Sequence, residues 1–249
     1  MIRIITDSAA DLTARDLETP SVAVVPMSIT FADGTAALDD GSMTKNEFFA
    51  RLAADSKLPR TSQPSPASFI QQFEDAAAAG DEVVVITIAQ KLSGTYQCAV
   101  LAAAETDAKV YIVDSETATQ GEAIIVREAV RLREQGLSAS RIAAELDSFK
   151  KRVRVVAIVD SLKHLQKGGR LPAAVALVGG ALGIKPVLAL YDSTIRLVDK
   201  GRGRPGALVA LFSWTSRAAW TRPTATRCCT AMTSSLPPPY TTTCTRICN

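Results

Sequence analysis

The sequence lacks several of the residue types on which common catalytic and structural sites depend. It has one histidine, His164, and only one of its five cysteines, Cys98, lies within residues 1–211. A metal site would have to be built mainly from carboxylates, so no metal is expected. A single thiol cannot form a disulfide framework, which favours a cytoplasmic location.

Long apolar runs and clustered positive charge are also absent from the first 200 residues. The uncharged run Leu171–Ile184 is shorter than the about 20 residues of a membrane-spanning helix. Asp7 interrupts the N-terminal apolar run before it reaches the length of a signal-peptide core. The net charge is only +3. The sequence therefore predicts no membrane span, at most a transient contact with a membrane, and no nucleic-acid partner.

Short apolar runs alternate with helical stretches, which is typical of an α/β protein with mainly parallel strands. The predicted strands are Ile2–Thr6, Val22–Val25, Val83–Ile88, Val110–Val113, Val153–Val159, Val187–Leu190 and Ile195–Val198. The predicted helices begin at the capping box Thr44-x-x-Glu47 and at Ser65-Pro66, and cover about Gly94–Glu105, Thr119–Gln135 and Ser138–Lys151.

Two helices in succession break this alternation near Lys150 and indicate a domain boundary. We predict an N-terminal α/β domain over residues 1–152 and part of a second α/β domain over residues 153–211. Residues 212–249 differ in composition, with four arginines, four cysteines and no acidic residue. This segment looks like translation in another reading frame, and we predict a basic, disordered tail. Zinc binding by its cysteines is the functional alternative, although no C-x2-C pair is present.

Small polar residues cluster where predicted strands end, which is where open α/β sheets bind ligands. The clusters are Thr6–Ser8, Thr61–Pro66, Ser93–Thr95 and Asp114–Ser115. Any one of them alone is better interpreted as turn or helix-cap chemistry. The combination of four favours a binding site.

Of these clusters, Ser93-Gly94-Thr95 is the one whose residues best explain a binding site. Gly94 allows close backbone approach, and the N-terminus of the following helix offers unpaired N–H groups and partial positive charge. Such a site suits a carboxylate or phosphate, and Thr61 supplies a second hydroxyl if its loop folds over the same place. A serine nucleophile is the alternative. Ser93, however, lacks the first glycine of a G-x-S-x-G elbow, and its only potential base is His164.

Basic and glycine-rich segments later in the chain have two interpretations. Arg170 follows Gly168-Gly169, and Arg202 belongs to a second basic group with Lys200 and Arg204. Both groups are either solvated surface or contacts for an anionic head group or a protein. Residues 201–206 match the dinucleotide pattern G-x-G-x-x-G, but no acidic residue follows to bind a ribose.

Together these residues resemble the DegV family of bacterial fatty-acid-binding proteins. The matching segments, in the family's order, are Ile5–Ser8, Thr61–Pro66, Leu92–Gln97, Val113–Ser115, Leu165–Arg170 and Ile184–Pro186. The likeness covers residues 1–206. Two departures stand out: Ala123 occupies the position of a second family glycine after Gly121, and the family's later strands, helices and glycine-rich histidine segment are not found after residue 211.

The resemblance implies a two-domain DegV-like fold, with a parallel-sheet N-terminal domain and an incomplete second α/β domain that we expect to lower stability. It implies a long-chain fatty acid between the domains, with its carboxylate bound by Thr61, Ser93, Gly94 and Thr95. Arg170 and Arg202 would face the head group or a partner.

In this family the protein presents the acid to a separate ATP-dependent fatty acid kinase subunit, which forms an acyl phosphate. The resemblance therefore implies a lipid-binding carrier, with no catalytic residue of its own and no cofactor besides the bound acid. The alternative is a serine-dependent enzyme acting on a small acyl or phosphorylated substrate.

Overall fold

The computed structural model describes residues 1–55, 57–171 and 183–218. The chain divides into two compact units, of which the first is Met1–Lys150 and the second begins at Lys151. A 3₁₀ turn, Lys150–Arg152, lies at the division.

The first unit contains a parallel sheet, a small antiparallel sheet and helices. Its strands are β1 (Ile2–Asp7), β2 (Val22–Val25), β3 (Ser28–Thr30), β4 (Ala36–Leu38), β5 (Arg60–Ser62), β6 (Glu82–Thr87) and β7 (Val110–Asp114). Its helices are α1 (Ala14–Leu17), α2 (Lys45–Ala54), α3 (Pro66–Ala78), α4 (Thr95–Ala104), α5 (Gln120–Glu134) and α6 (Ala139–Phe149), with a 3₁₀ turn at Ser8–Ala10.

The parallel sheet has the strand order β2-β1-β6-β7 and forms the centre of the first unit. Alternate side chains of a strand point to opposite faces, and both faces are apolar here because helices cover each of them. Ile5 and Val85 pack with Phe69 and Phe73 of α3 and with residues of α4. Helices α5 and α6 pack against β1, β6 and β7. The predicted parallel-sheet domain is confirmed.

Polar caps define the starts of the predicted helices. The Ser65 hydroxyl accepts the N–H of Ser68, and Pro66 occupies the first helical position. Thr44 and Glu47 form the reciprocal capping box predicted for α2. These caps satisfy N–H groups that have no partner within the helix.

A second, antiparallel sheet in the order β4-β3-β5 was not predicted from the sequence. Each of its strands has three residues, which is too short for an alternating apolar pattern to stand out. This sheet matters for the site because it fixes the position of Thr61. Thr61 belongs to β5 and pairs with Ile29 of β3.

The second unit is built on an antiparallel sheet, which corrects the expectation of mainly parallel strands for this part of the chain. Its strands are β8 (Val155–Ile158), β9 (Ile184–Tyr191) and β10 (Thr194–Arg202), in the order β10-β9-β8. Asp192 and Ser193 connect β9 to β10, and both have positive φ angles of 49° and 59°. This two-residue hairpin fixes the antiparallel direction.

The second unit also contains α7 (Lys163–Lys167) and α8 (Gly203–Ala218). Helix α8 corrects the prediction that a disordered tail starts at residue 212. Ala207, Ala210 and Leu211 bury one side of α8 against the sheet, so the helix continues through Ala218. The remainder of the predicted tail, residues 219–249, lies outside the described residues.

Within the described ranges, no helix is both long and apolar enough to cross a bilayer. The same ranges contain no group of three or more histidine, cysteine, aspartate or glutamate side chains arranged to hold a metal ion.

Candidate functional site

Polar residues end three neighbouring strands of the parallel sheet. Strand β1 ends at Asp7, β6 at Thr87 and β7 at Asp114, and the register pairs Thr87 with Asp114. All three side chains are buried. Because the strands are parallel, these residues lie along one edge of the sheet, where α/β proteins bind their ligands.

The loop between β6 and α4 starts at this edge and is held by its neighbours. The N–H of Ile88 donates to Asp7 Oδ2 (2.8 Å), and the N–H of Gln90 donates to Asp114 Oδ1 (3.2 Å). Between them, the N–H of Ala89 donates to the carbonyl of Thr117 (2.8 Å). Three successive N–H groups are thus fixed by β1, by β7 and by the segment that follows β7.

Ser93, Gly94 and Thr95 lie together at the N-terminus of α4, as their sequence predicts. The Ser93 and Thr95 hydroxyl oxygens are 2.9 Å apart, and the N–H of Thr95 donates to Ser93 Oγ at 3.4 Å. Gly94 is the N-cap residue and provides no side-chain cap. The Ser93–Thr95 hydroxyl pair therefore lies at the N-terminus of α4, which is the positive end of the helix dipole.

Thr61 is exposed on β5, and its neighbour Gln63 contacts the N-terminus of α4. A Cβ added to Gly94 would lie 2.8 Å from the amide nitrogen of Gln63. That same amide approaches Cys98 Sγ at 3.5 Å. The Gln63 amide therefore occupies the space that a side chain at position 94 would fill, and it places the segment after β5 next to α4. Thr61 and Ser93 make no hydrogen bond to each other, although both are among the described residues.

Arg170 and Arg202 belong to the second unit. The Arg170 guanidinium donates to the carbonyl of Gly168, and its side chain is exposed. Arg202 is the last residue of β10, pairs with Ile184 and is also exposed. His164, the one histidine, is exposed on α7.

Glu122 is a buried residue of this edge that the sequence analysis missed. It lies in the first turn of α5, has no exposed surface and accepts the Thr6 hydroxyl at 3.0 Å. Its second carboxylate oxygen has no hydrogen-bond partner. Helical spacing in the sequence does indicate that Glu122 is buried. It precedes Ile125 and Val126 by three and four residues, and it therefore shares a helix face with these buried side chains.

Burial changes the protonation of the acids at this edge. Burial raises the pKa of Asp7 to about 7, although the N–H groups of Ile88 and Ala9 act in the opposite direction. The pKa of Glu122 is raised well above its usual value, first by burial and then by the charges of Asp7 and Asp114. Both acids therefore ionise at higher pH than they would in water.

An open depression of about 900 Å³ lies elsewhere in the first unit, at the amino edge of the parallel sheet. Its lining includes Met1, Asp81, Lys109 and Arg133. Asp81 is already paired there with the N-terminal ammonium group and with Arg3, at 2.8 and 2.9 Å. The depression is at the opposite edge from Ser93 and does not contribute to the anion site.

The fold and the site define an α/β protein whose parallel sheet carries neutral hydrogen-bond donors at a helix N-terminus on its carboxyl edge. The family model described as "Uncharacterised protein, DegV family" matches residues 1–232, beyond residue 206 where the predicted resemblance ended. The chain belongs to the DegV family.

Its relatives and structural neighbours are similar over most of their length. A DegV domain-containing protein of Caldanaerobacter subterraneus is 35% identical over 208 residues, which are 83% of this chain and 74% of that protein. A stearic acid-binding protein from Eubacterium ventriosum has a TM-score of 0.80 at 32% identity, covering 88% of this chain and 78% of that one.

A third similar structure is the Streptococcus pneumoniae Fatty Acid Kinase (Fak) B3 protein, loaded with linoleic acid. It has a TM-score of 0.78 at 26% identity, covering 88% of this chain and 79% of that one. The chain therefore has the fold of DegV proteins that bind fatty acids.

Proposed function

We propose that this protein binds the carboxylate of a long-chain fatty acid at the N-terminus of α4. The observation that carries the proposal is the Ser93–Thr95 hydroxyl pair at that N-terminus, in a chain with the fold of fatty-acid-bound proteins. Neutral donors satisfy a carboxylate without a buried cation.

Each site residue has a distinct proposed role. Ser93 donates its hydroxyl to the carboxylate, Gly94 offers the N–H of the N-cap position, and Thr95 supports Ser93 through its hydroxyl and its N–H. Thr61 supplies a further hydroxyl, supported by the contact of Gln63 with Gly94. Arg170 and Arg202 are proposed to face the head group or a partner protein, supported by their exposure.

We further propose that the protein presents its acid to a separate ATP-dependent fatty acid kinase. In that reaction a carboxylate oxygen of the acid attacks the γ-phosphorus of ATP, the bond between the β- and γ-phosphates breaks, and acyl phosphate and ADP form. The carrier breaks and forms no covalent bond. The similarity to the Streptococcus pneumoniae Fatty Acid Kinase B3 protein supports this role.

Extraction of the purified protein tests the proposal. After denaturation and extraction with organic solvent, mass spectrometry should find close to one long-chain fatty acid per chain. Absence of any acid from a protein that melts cooperatively would contradict the proposal and favour a serine-dependent enzyme.

The variant Ser93→Ala tests the head-group contact. Loss of a hydrogen bond to a charged carboxylate should weaken fatty-acid binding by about tenfold or more. Ser140→Ala is the control, because Ser140 is an exposed serine of α6. Equal affinities of the two variants, measured by displacement of a fluorescent fatty acid, would exclude the role proposed for Ser93.

A further inference from the structure

Asp7 holds two separate segments of the first unit with its two carboxylate oxygens. Asp7 Oδ1 accepts the N–H of Ala9 at 3.0 Å, and Oδ2 accepts the N–H of Ile88 at 2.8 Å. The side chain has no exposed surface. Asp7 therefore ties the 3₁₀ turn after β1 to the first residue of the loop that leads to Ser93.

The loop transmits the position of Ile88 to Ser93 over a few bonds. Ala89, the next residue, accepts with its carbonyl the N–H groups of Leu92 (2.8 Å) and Ser93 (3.2 Å). Ser93 is thus hydrogen-bonded to Ala89, and Ala89 directly follows Ile88, whose N–H donates to Asp7. A shift of Ile88 would move this turn and, with it, the Ser93 and Thr95 hydroxyls.

We propose that Asp7 is a positioning residue, whose carboxylate sets the placement of the Ser93–Thr95 donors for a ligand carboxylate. This inference rests on the proposed function and extends it to a residue that touches no ligand. Asp114 has a weaker version of the same role, because a single oxygen, Oδ1, accepts both Gln90 and Glu116.

The surroundings of Asp7 oppose the ionisation of its carboxyl group. This cost argues that the carboxylate has a role beyond filling space in the core. The titratable groups that interact with Asp7 are themselves acids, namely Glu122 of α5 and Asp39 in the loop after β4, and Asp114 of β7 faces Glu122 in turn. Lys150 donates to the main-chain carbonyl of Asp114 and pairs with Asp147, rather than with Asp7. A carboxylate is retained here without a cation, and N–H groups are its partners.

Three variants separate positioning from other effects. Asp7→Ala removes both acceptors, whereas Asp7→Asn keeps one of them. Glu122→Gln is the matched control, because it replaces the carboxyl group of the neighbouring buried acid, which accepts only from Thr6 among the described contacts. Asp7→Ala leaves the N–H groups of Ala9 and Ile88 without their acceptor, so Asp7→Asn, which keeps one acceptor, carries the test if the alanine variant does not fold.

The experiment compares the affinities of each variant for palmitate and for hexadecanol, which has the same chain length and no carboxylate. The ratio of these affinities reports head-group recognition, and hexadecanol alone reports the acyl pocket. We expect Asp7→Ala to lower the ratio by about tenfold or more at pH 8. Asp7→Asn should give an intermediate ratio, and Glu122→Gln should keep the wild-type ratio.

A pH series adds a readout that a purely structural role would not move. The wild-type ratio should fall as pH decreases from 8 to 6, because a protonated Asp7 loses one strong acceptor. The ratio of Asp7→Asn should be flat over the same range. A ratio that varies equally with pH in both proteins would overturn the inference.

The remaining outcomes are also decisive. If Asp7→Ala keeps the wild-type ratio, or loses palmitate and hexadecanol equally, Asp7 does not position the donors. If the wild type binds neither compound, the proposed function fails and the ligand part of this inference fails with it. Hydrogen exchange then still tests the loop: amides 88–95 should exchange faster in Asp7→Ala than in wild type, and unchanged exchange would overturn the positioning role.

Discussion

Asp7 and Glu122 place two carboxyl groups in the interior of the first unit, and both ionise less readily than in water. The pKa of Asp7 is about 7 instead of 3.8, chiefly because of burial, and that of Glu122 is raised well above its usual value by burial and by the charge of Asp7. At a pH between the pKa of such a group in the unfolded chain and its pKa in the folded protein, the folded state binds more protons than the unfolded state. The free energy of unfolding therefore falls as pH rises through this window.

The sign of this effect gives a prediction for Glu122→Gln. Asp7 lowers the wild-type free energy of unfolding by about 4 kcal/mol at most as pH rises from about 4 to above its folded pKa of about 7. Glu122 acts in the same direction, because burial and the charges of Asp7 and Asp114 raise its pKa well above the usual value. Glu122→Gln removes this second contribution, so the free energy of unfolding should fall less between pH 5 and pH 8 in the variant than in the wild type, as measured by urea unfolding.

Glu134→Gln is the control for this prediction, since Glu134 is an exposed residue of the same helix. Its stability should follow the wild type at every pH. A wild type as stable at pH 8 as at pH 5, or a Glu122→Gln variant that loses the same stability over this interval, would contradict the raised pKa of Glu122.

At the scale of elements, the parts of the fold that could be predicted are those with a local signal. The four central residues of strand β6 form an unbroken apolar run, Val83–Ile86, and Ser65-Pro66 marks the start of α3 through its own cap. Ser93-Gly94-Thr95 was predicted for the same reason, because a glycine between hydroxyls before a helix is visible in the sequence.

The elements that could not be predicted depend on distant partners. Strand β5 exists through its pairing with β3, about thirty residues away, and three residues carry no period. The direction of β9 and β10 depends on Asp192-Ser193, which lacks the glycine that usually signals such a hairpin. Helix α8 runs into a segment of unusual composition, and burial of Leu211 against the second sheet outweighs that composition.

The glycine pattern of residues 201–206 has a structural explanation at the junction of β10 and α8. A Cβ at Gly201 would lie 2.1 Å from the carbonyl carbon of Gly206, so the strand and the helix could not keep this approach. Gly201→Ala should destabilise the second unit by about 2 kcal/mol or more. Gly206→Ala is the matched control, because its nearest atom would be 3.5 Å away and alanine favours the helix.

Urea unfolding of the two glycine variants distinguishes packing from dinucleotide binding. We expect Gly201→Ala to be destabilised and Gly206→Ala to be as stable as the wild type or more so. Equal stability of all three proteins would mean that β10 and α8 do not approach as closely as the structure shows.

At the scale of the whole molecule, the two compact units have separate apolar cores, centred on Phe69 and Phe73 in the first and on Val187 and Leu211 in the second. Variants confined to one unit therefore identify its unfolding transition. Asp16→Asn marks the first unit, because it breaks the paired 2.7 Å contacts of Asp16 with Arg127. Since Arg127 is partly exposed, the loss should be about 1 kcal/mol. Gly201→Ala marks the second unit.

With the transitions assigned, the proposed ligand should stabilise the first unit, because Thr61, Ser93 and Thr95 all belong to it. A fatty acid that binds only the folded state at a free concentration of 100 times its Kd adds about 2.7 kcal/mol to the free energy of unfolding. The transition lowered by Asp16→Asn should therefore rise on addition of palmitate. Ser93→Ala should reduce this rise at equal palmitate concentration, whereas Ser140→Ala should not. If palmitate raised only the transition lowered by Gly201→Ala, the second unit would contain the ligand site and the assignment of Ser93 would be wrong.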